Sequence, residues 1–301
     1  MNMKIIEKKE NLKSSIPFMA LMCALIVCLS ILATYLSFSS LIVALFITIP
    51  SVFVAILVPK KYYYIYFLSS LGLSLITSIL DISFVLSFTL PSLIIGLIQG
   101  IFIDKKYNAF LLTYITSIIY FIIEIILLYL VNIILEINVI EEMENLLHLS
   151  NNEENKYIIL ILILFSSFIG VSLSTYVINF EIKKIGYNLT FNKYGDYFFS
   201  IISILLSIIT LLCHFYNKNL ECFLFIVTII SLIFLTLSNL SIKEYYYLFI
   251  LLIIFPLYLI FIIFNLENYI FIYFSLLPII YSIVVLLIKL LIYFKNKKEI
   301  Q

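Results

Sequence analysis

One carboxylate falls where a charge is hardest to keep. Glu124 lies inside the long apolar run 108–135, and a charged side chain at the centre of a membrane helix costs roughly 2.5–3.5 kcal/mol on insertion scales. Something must offset that cost: a proton on the carboxyl, a water-filled cavity, or polar partners such as Asn132 two turns further along or groups on neighbouring helices. A carboxyl so placed can contact a substrate or relay a proton, and equally it can be a deep acid on a long helix that tilts. Asp81, at the turn between the runs 63–80 and 83–103, and Gln99, within the second of them, join Glu124 and Asn132 as candidate ligand-binding groups.

The remaining reactive side chains make no catalytic or metal-binding pattern. Neither His148 nor His214 belongs to an H-E-x-x-H motif, and Cys213, His214 and Cys222 around one short turn lack a fourth ligand. Cys23, Cys28, Cys213 and Cys222 show no C-x-x-C spacing and read as small buried hydrophobes. Without a G-x-x-x-x-G-K-[ST] loop the chain is not itself a P-loop ATPase, so any ATP-driven work needs a partner. No Ser/His/Asp or Cys/His set lies in the apolar runs. The expectation is a non-enzyme with no cofactor, no metal and no nucleic-acid partner.

Those groups have to be held by helices in lipid. With 64% hydrophobic and 12% charged residues and a mean hydropathy of +1.20, 301 residues have too little polar surface to cover a soluble globule. The composition therefore predicts an all-α, polytopic transmembrane bundle with the lipid bilayer as its main solvent. Apolar runs place about ten spans, at 16–36, 41–58, 63–80, 83–103, 108–135, 157–180, 197–214, 221–240, 246–264 and 269–292. The first is longer than the h-region of a signal peptide and reads as an uncleaved span.

Lysine placement orients this layout. With the N-terminus in the cytoplasm, Lys60, Lys61, Lys105, Lys106, Lys183, Lys184, Lys193, Lys243, Lys295, Lys297 and Lys298 fall inside, and only Lys156 and Lys218 fall outside. The positive-inside rule then predicts a multi-pass protein of the plasma membrane with both termini cytoplasmic. The tyrosine clusters 62–64 and 245–247 open spans at that face as aromatic belts. The acidic external loop 136–156 is either a cation-attracting mouth or a solvated connector.

Small residues divide the chain into an expected six-span bundle, 1–190, and an additional four-span region, 191–301. Nothing after Asp196 is smaller than Ser. Helices approach closely where small residues recur every fourth position. Ala20 and Ala24, continued by Cys28, make such a strip on the first span; Gly96 and Gly100 make another after Pro91; Gly170 sits among Ser166, Ser167 and Ser174. The last four spans, with Ser203, Ser207, Ser231 and Ser238 as their small positions, read as a looser unit.

Residues 20–25 (A-L-M-C-A-L), the stretch from Pro50 to Lys61, and Leu90 to Gly100 followed by Asp104, Lys105 and Lys106 carry a resemblance. Over roughly residues 1–190 the chain resembles the YybS-like membrane proteins, a family of unknown function similar to the substrate-binding S components of energy-coupling-factor vitamin transporters. In those S components an A-x-x-x-A strip on the first span contacts a transmembrane coupling protein that works with ATPase subunits. The resemblance gives that role to Ala20 and Ala24, and implies a small-molecule ligand without identifying its contacts. Typical S components have about six spans, whereas this chain continues for about four more. Two other readings fit the layout: a secondary carrier of two inverted five-span halves, and a structural or regulatory membrane protein that docks through the first span.

Overall fold

The structure, a computed structural model, describes residues 8–35, 40–78, 82, 85–135, 153–187, 189, 194–213, 215–216, 218–240, 278–283 and 285–287. These residues are helix and turn, with no strand among them. The helices are α1 (Leu12–Tyr35), α2 (Ser40–Leu57), α3 (Tyr63–Thr77), α4 (Leu90–Asp104), α5 (Ala109–Leu135), α6 (Glu153–Lys184), α7 (Tyr194–Cys213) and α8 (Lys218–Leu240). A 3-10 turn, Lys60–Tyr62, leads into α3, and a π-helical turn, Val85–Thr89, leads into α4.

Five stretches are long and apolar enough to cross a membrane: Leu12–Ala33, Val85–Asp104, Ala109–Ile133, Tyr157–Lys184 and Leu220–Ser238. Phe46–Leu57, Tyr197–Cys213 and Pro278–Leu287 are shorter apolar helices. The protein thus has the helical, apolar build of an integral membrane protein. Asp81, His148, His214, the run 246–264 and residues 136–152 of the acidic loop lie outside the described residues.

Two compact units divide the chain, Met1–Thr190 and Phe191–Gln301. In the first, α1 packs on α2 and α3, α2 on α4 and α6, and α5 on α4 and α6. Leu57, Ile103, Ala109, Leu112, Ile182 and Ile185 form one buried cluster. The helix ends carrying Lys60–Lys61, Lys105–Lys106 and Lys183–Lys184 therefore meet at one end of this unit. The same end is strapped by the residues before α1. The Lys9 amide donates to Leu57 O at 2.7 Å, and the Lys8 ammonium pairs with Asp104. The hydrogen bond to Asp104 raises the Lys8 pKa above its ordinary 10.5, outweighing the opposite pull of slight burial.

Local sequence explains the helix ends. Asn108 caps α5, its Oδ1 accepting from the Phe110 amide at 2.8 Å and the Leu111 amide at 3.3 Å. α4 and α6 both close with a Schellman turn: Tyr107 N–H to Phe102 O, and Tyr187 N–H to Ile182 O, each at 3.0 Å. The left-handed residue of that turn is Gly186 (φ 85°) after α6 but Lys106 (φ 56°) after α4. Pro91 accounts for the π-turn, because its ring cannot accept the tight preceding turn and removes the amide that would bond back to Ser87.

In the second unit α7 and α8, joined by a short turn, pack along a seam of hydroxyls. Ser203, Ser207 and Ser231 are fully buried, Ser238 nearly so, and Thr210 Oγ1 lies 3.5 Å from Thr228 Oγ1. The expectation of a looser unit is corrected for this pair: serine is small enough to let the backbones approach as glycine does in the first unit. The cysteines also depart from expectation. Cys23 is buried, but Cys28 and Cys222 are exposed on outward faces, where an apolar thiol suits lipid as well as it suits a core.

Candidate functional site

Glu124 lies on the face of α5 that also buries Ser117, Leu127 and Val131, and this face meets α6. Ser167 Oγ, from α6, is 2.7 Å from Glu124 Oε2, and the Tyr120 hydroxyl, one turn earlier on α5, lies beside the carboxyl. Asn132 is half-buried two turns further along α5.

The hydrogens around Ser167 can be counted. Its Oγ lies 2.7 Å from both Glu124 Oε2 and Ile163 O, yet a hydroxyl has one proton to give. With Glu124 ionised, Ser167 donates to the carboxylate. With Glu124 neutral, the carboxyl donates to Ser167, which passes its own proton to Ile163 O. Both protonation states are satisfied without moving a heavy atom, which suits a group that gains and loses a proton at membrane depth.

Gln99 is fully buried and its Nε2 donates to Thr175 Oγ1 of α6 at 3.1 Å, while its Oε1 has no partner. The structure thus links α4 to α6 through Gln99 and α5 to α6 through Glu124. Gly170, half-buried, lies on α6 between Ser167 and Thr175.

The two strips of small residues go to different uses. A Cβ on Gly96 would stand 2.2 Å from Ser51 Cβ, and one on Gly100 2.3 Å from Ala55 Cβ. α2 has therefore closed onto α4 at both glycines, with its own small residues at the matching four-residue spacing. Ala20, Ala24 and Cys28, by contrast, are exposed and line a groove of about 470 Å³ whose other wall is Tyr66, Ser69 and Leu73 of α3.

Sequence reasoning missed the inward face of α3. Tyr63, Tyr66, Ser70, Ser74 and Ser78 are all buried and all carry hydroxyls. Their spacing of three, then four, four and four residues was the available signal; the tyrosine cluster at the start of the run masked it. Among the described residues no three His, Cys, Asp or Glu side chains come together as metal ligands.

Comparisons with known protein families, with curated proteins and with solved structures find no match to this chain.

Proposed function

We propose that this is an S-component-like membrane protein that binds a small solute or lipid-like ligand and docks, through α1, onto a transmembrane coupling protein with its own ATPase subunits. The chain lies in the plasma membrane with about ten spans and both termini in the cytoplasm, and it performs no catalysis itself. The carrying observation is the exposed Ala20–Ala24–Cys28 strip beside a groove. Small side chains on an outward face give up little lipid contact and let a partner helix approach closely. The gathering of lysines at one end of the first unit supports the orientation.

The test is affinity purification from native membranes in mild detergent, comparing the wild type with an Ala20→Leu, Ala24→Leu double variant. Recovery of a coupling protein and ATPases with the wild type alone supports the reading. Their absence, under conditions that preserve known complexes, removes it. A proton-coupled carrier is favoured by a different observation, the ability of the Glu124–Ser167 pair to hold either protonation state. Proton uptake by reconstituted vesicles that is lost in Glu124→Gln would bring that reading forward.

A further inference from the structure

The face that α3 turns into the first unit bears hydroxyls from end to end. Tyr63, Tyr66, Ser70 and Ser74 are its buried residues, and Ser78 at its C-terminal end is 3% exposed. Tyr64, Leu68, Leu73 and Ile76 point the other way. At 1.5 Å per residue this ladder runs about 22 Å.

Neighbouring elements answer several rungs. Tyr63 OH donates to Leu93 O at 2.7 Å, and Tyr66 OH lies 3.4 Å from Ser51 Oγ. Ser30 of α1 lies 3.1 Å from Thr89 Oγ1 on the π-turn and 3.4 Å from Ser74 Oγ. π-turns recur at functional sites, because the widened turn re-aims side chains. Two rungs are unanswered: Ser70 Oγ and Ser78 Oγ are buried without a partner in hydrogen-bonding geometry. A buried hydroxyl without a partner is destabilising, since it loses its water without gaining a bond. Alanine at either position would pack α3 without that cost.

From this cluster we propose that the hydroxyl ladder of α3, with Ser30 and Thr89, binds a small uncharged solute carrying several hydroxyl groups, of the polyol type. Each hydroxyl both donates and accepts, which matches a solute that does the same. None of these side chains carries a charge near neutral pH, so an ionic solute would enter without a counter-charge. The inference rests on the solute-binding reading above and names its ligand class. Ser70 and Ser78 supply the open hydrogen bonds, and Ser30, Ser74 and Thr89 between them exchange their mutual contacts for the solute as it enters.

The test uses full-length protein with its four native cysteines replaced by alanine, reconstituted in phospholipid vesicles, carrying Ser70→Cys or Ser74→Cys. The probe is methyl methanethiosulfonate, whose thiosulfonate sulfur is attacked by thiolate to give a mixed methyl disulfide with release of methanesulfinate, and which so reports where polar solvation reaches the cysteine sulfur. Ile26→Cys, one turn from Ser30 and equally buried, is the control. Both ladder cysteines should react roughly tenfold or more faster than the control, and excess erythritol should slow them. Ladder cysteines as inert as the control overturn the site, and reaction that erythritol leaves unchanged overturns the solute class. Partner recovery is read separately: a coupling protein recovered while the ladder stays inert removes this site and leaves the docking reading. Reactive, erythritol-protected cysteines without any such partner keep the site and remove the docking reading.

Discussion

Two strips with the same spacing end in opposite situations. Gly96 and Gly100 on α4 have been filled by Ser51 and Ala55 of α2 so closely that no Cβ fits, whereas Ala20 and Ala24 on α1 face outward beside an open groove. Small residues four apart thus mark where a helix can be approached, and the fold decides by whom. In the first case the approach stabilises the unit through backbone-level packing. In the second the described residues leave the surface open.

The strongest way to break the comparison is to enlarge the closed seam. Gly96→Leu should destabilise the protein by about 3 kcal/mol or more, because both helices would have to separate; loss of a monodisperse peak in detergent or a sharply lowered unfolding midpoint would report it. A milder version sharpens the cause. Gly96→Ala should cost about 1–3 kcal/mol, and adding Ser51→Gly, which removes the atom 2.2 Å from the new Cβ, should recover a large part of it. Additive losses in that double-mutant cycle would show that the contact is not the source of the cost.

On the open strip the expectation reverses. Ala20→Leu with Ala24→Leu should change the thermal midpoint by no more than about 0.5 kcal/mol in equivalent stability. A large loss would mean that the strip is internal packing like its counterpart.

The smallest effect concerns the strap across the lysine-rich ends of α2 and α4, the same two helices that form the closed seam. Lys8 is about half-exposed, so Lys8→Gln should cost only a few tenths of a kcal/mol. Because Asp104 raises the Lys8 pKa in the folded state, that contribution is fully present below the ordinary lysine value and disappears as pH climbs through the raised one. The difference in midpoint between wild type and Lys8→Gln should therefore stay constant from about pH 6 to 9 and close in strong alkali. A difference that varied within that window would point to another titrating group.

Much of the architecture was legible from local pattern. Hydrophobic run length gave helices of membrane-spanning size, and glycine spacing pointed to a close helix contact; the cap at Asn108 and the left-handed turn at Gly186 came from the structure. The inward face of α3 was legible in principle, since its hydroxyls keep helical spacing, but a polar face on a membrane helix gives no sign of what it will meet. Glu124 could be singled out by its depth, while Ser167, 43 residues away, could not be chosen from the several serines of α6.

Sequence by itself determined the class of protein and the capacity of each helix face, because run length, capping and periodicity depend on residues within a few turns of one another. Only the tertiary structure decided which face meets which. It paired α2 with Gly96 and Gly100, seated Ser167 on Glu124, brought Ser74 of α3 to Ser30, and left Ala20 and Ala24 outside. Such pairings arise between segments tens of residues apart, where shape and hydrogen-bond complementarity are settled by the whole bundle rather than by any one stretch of chain.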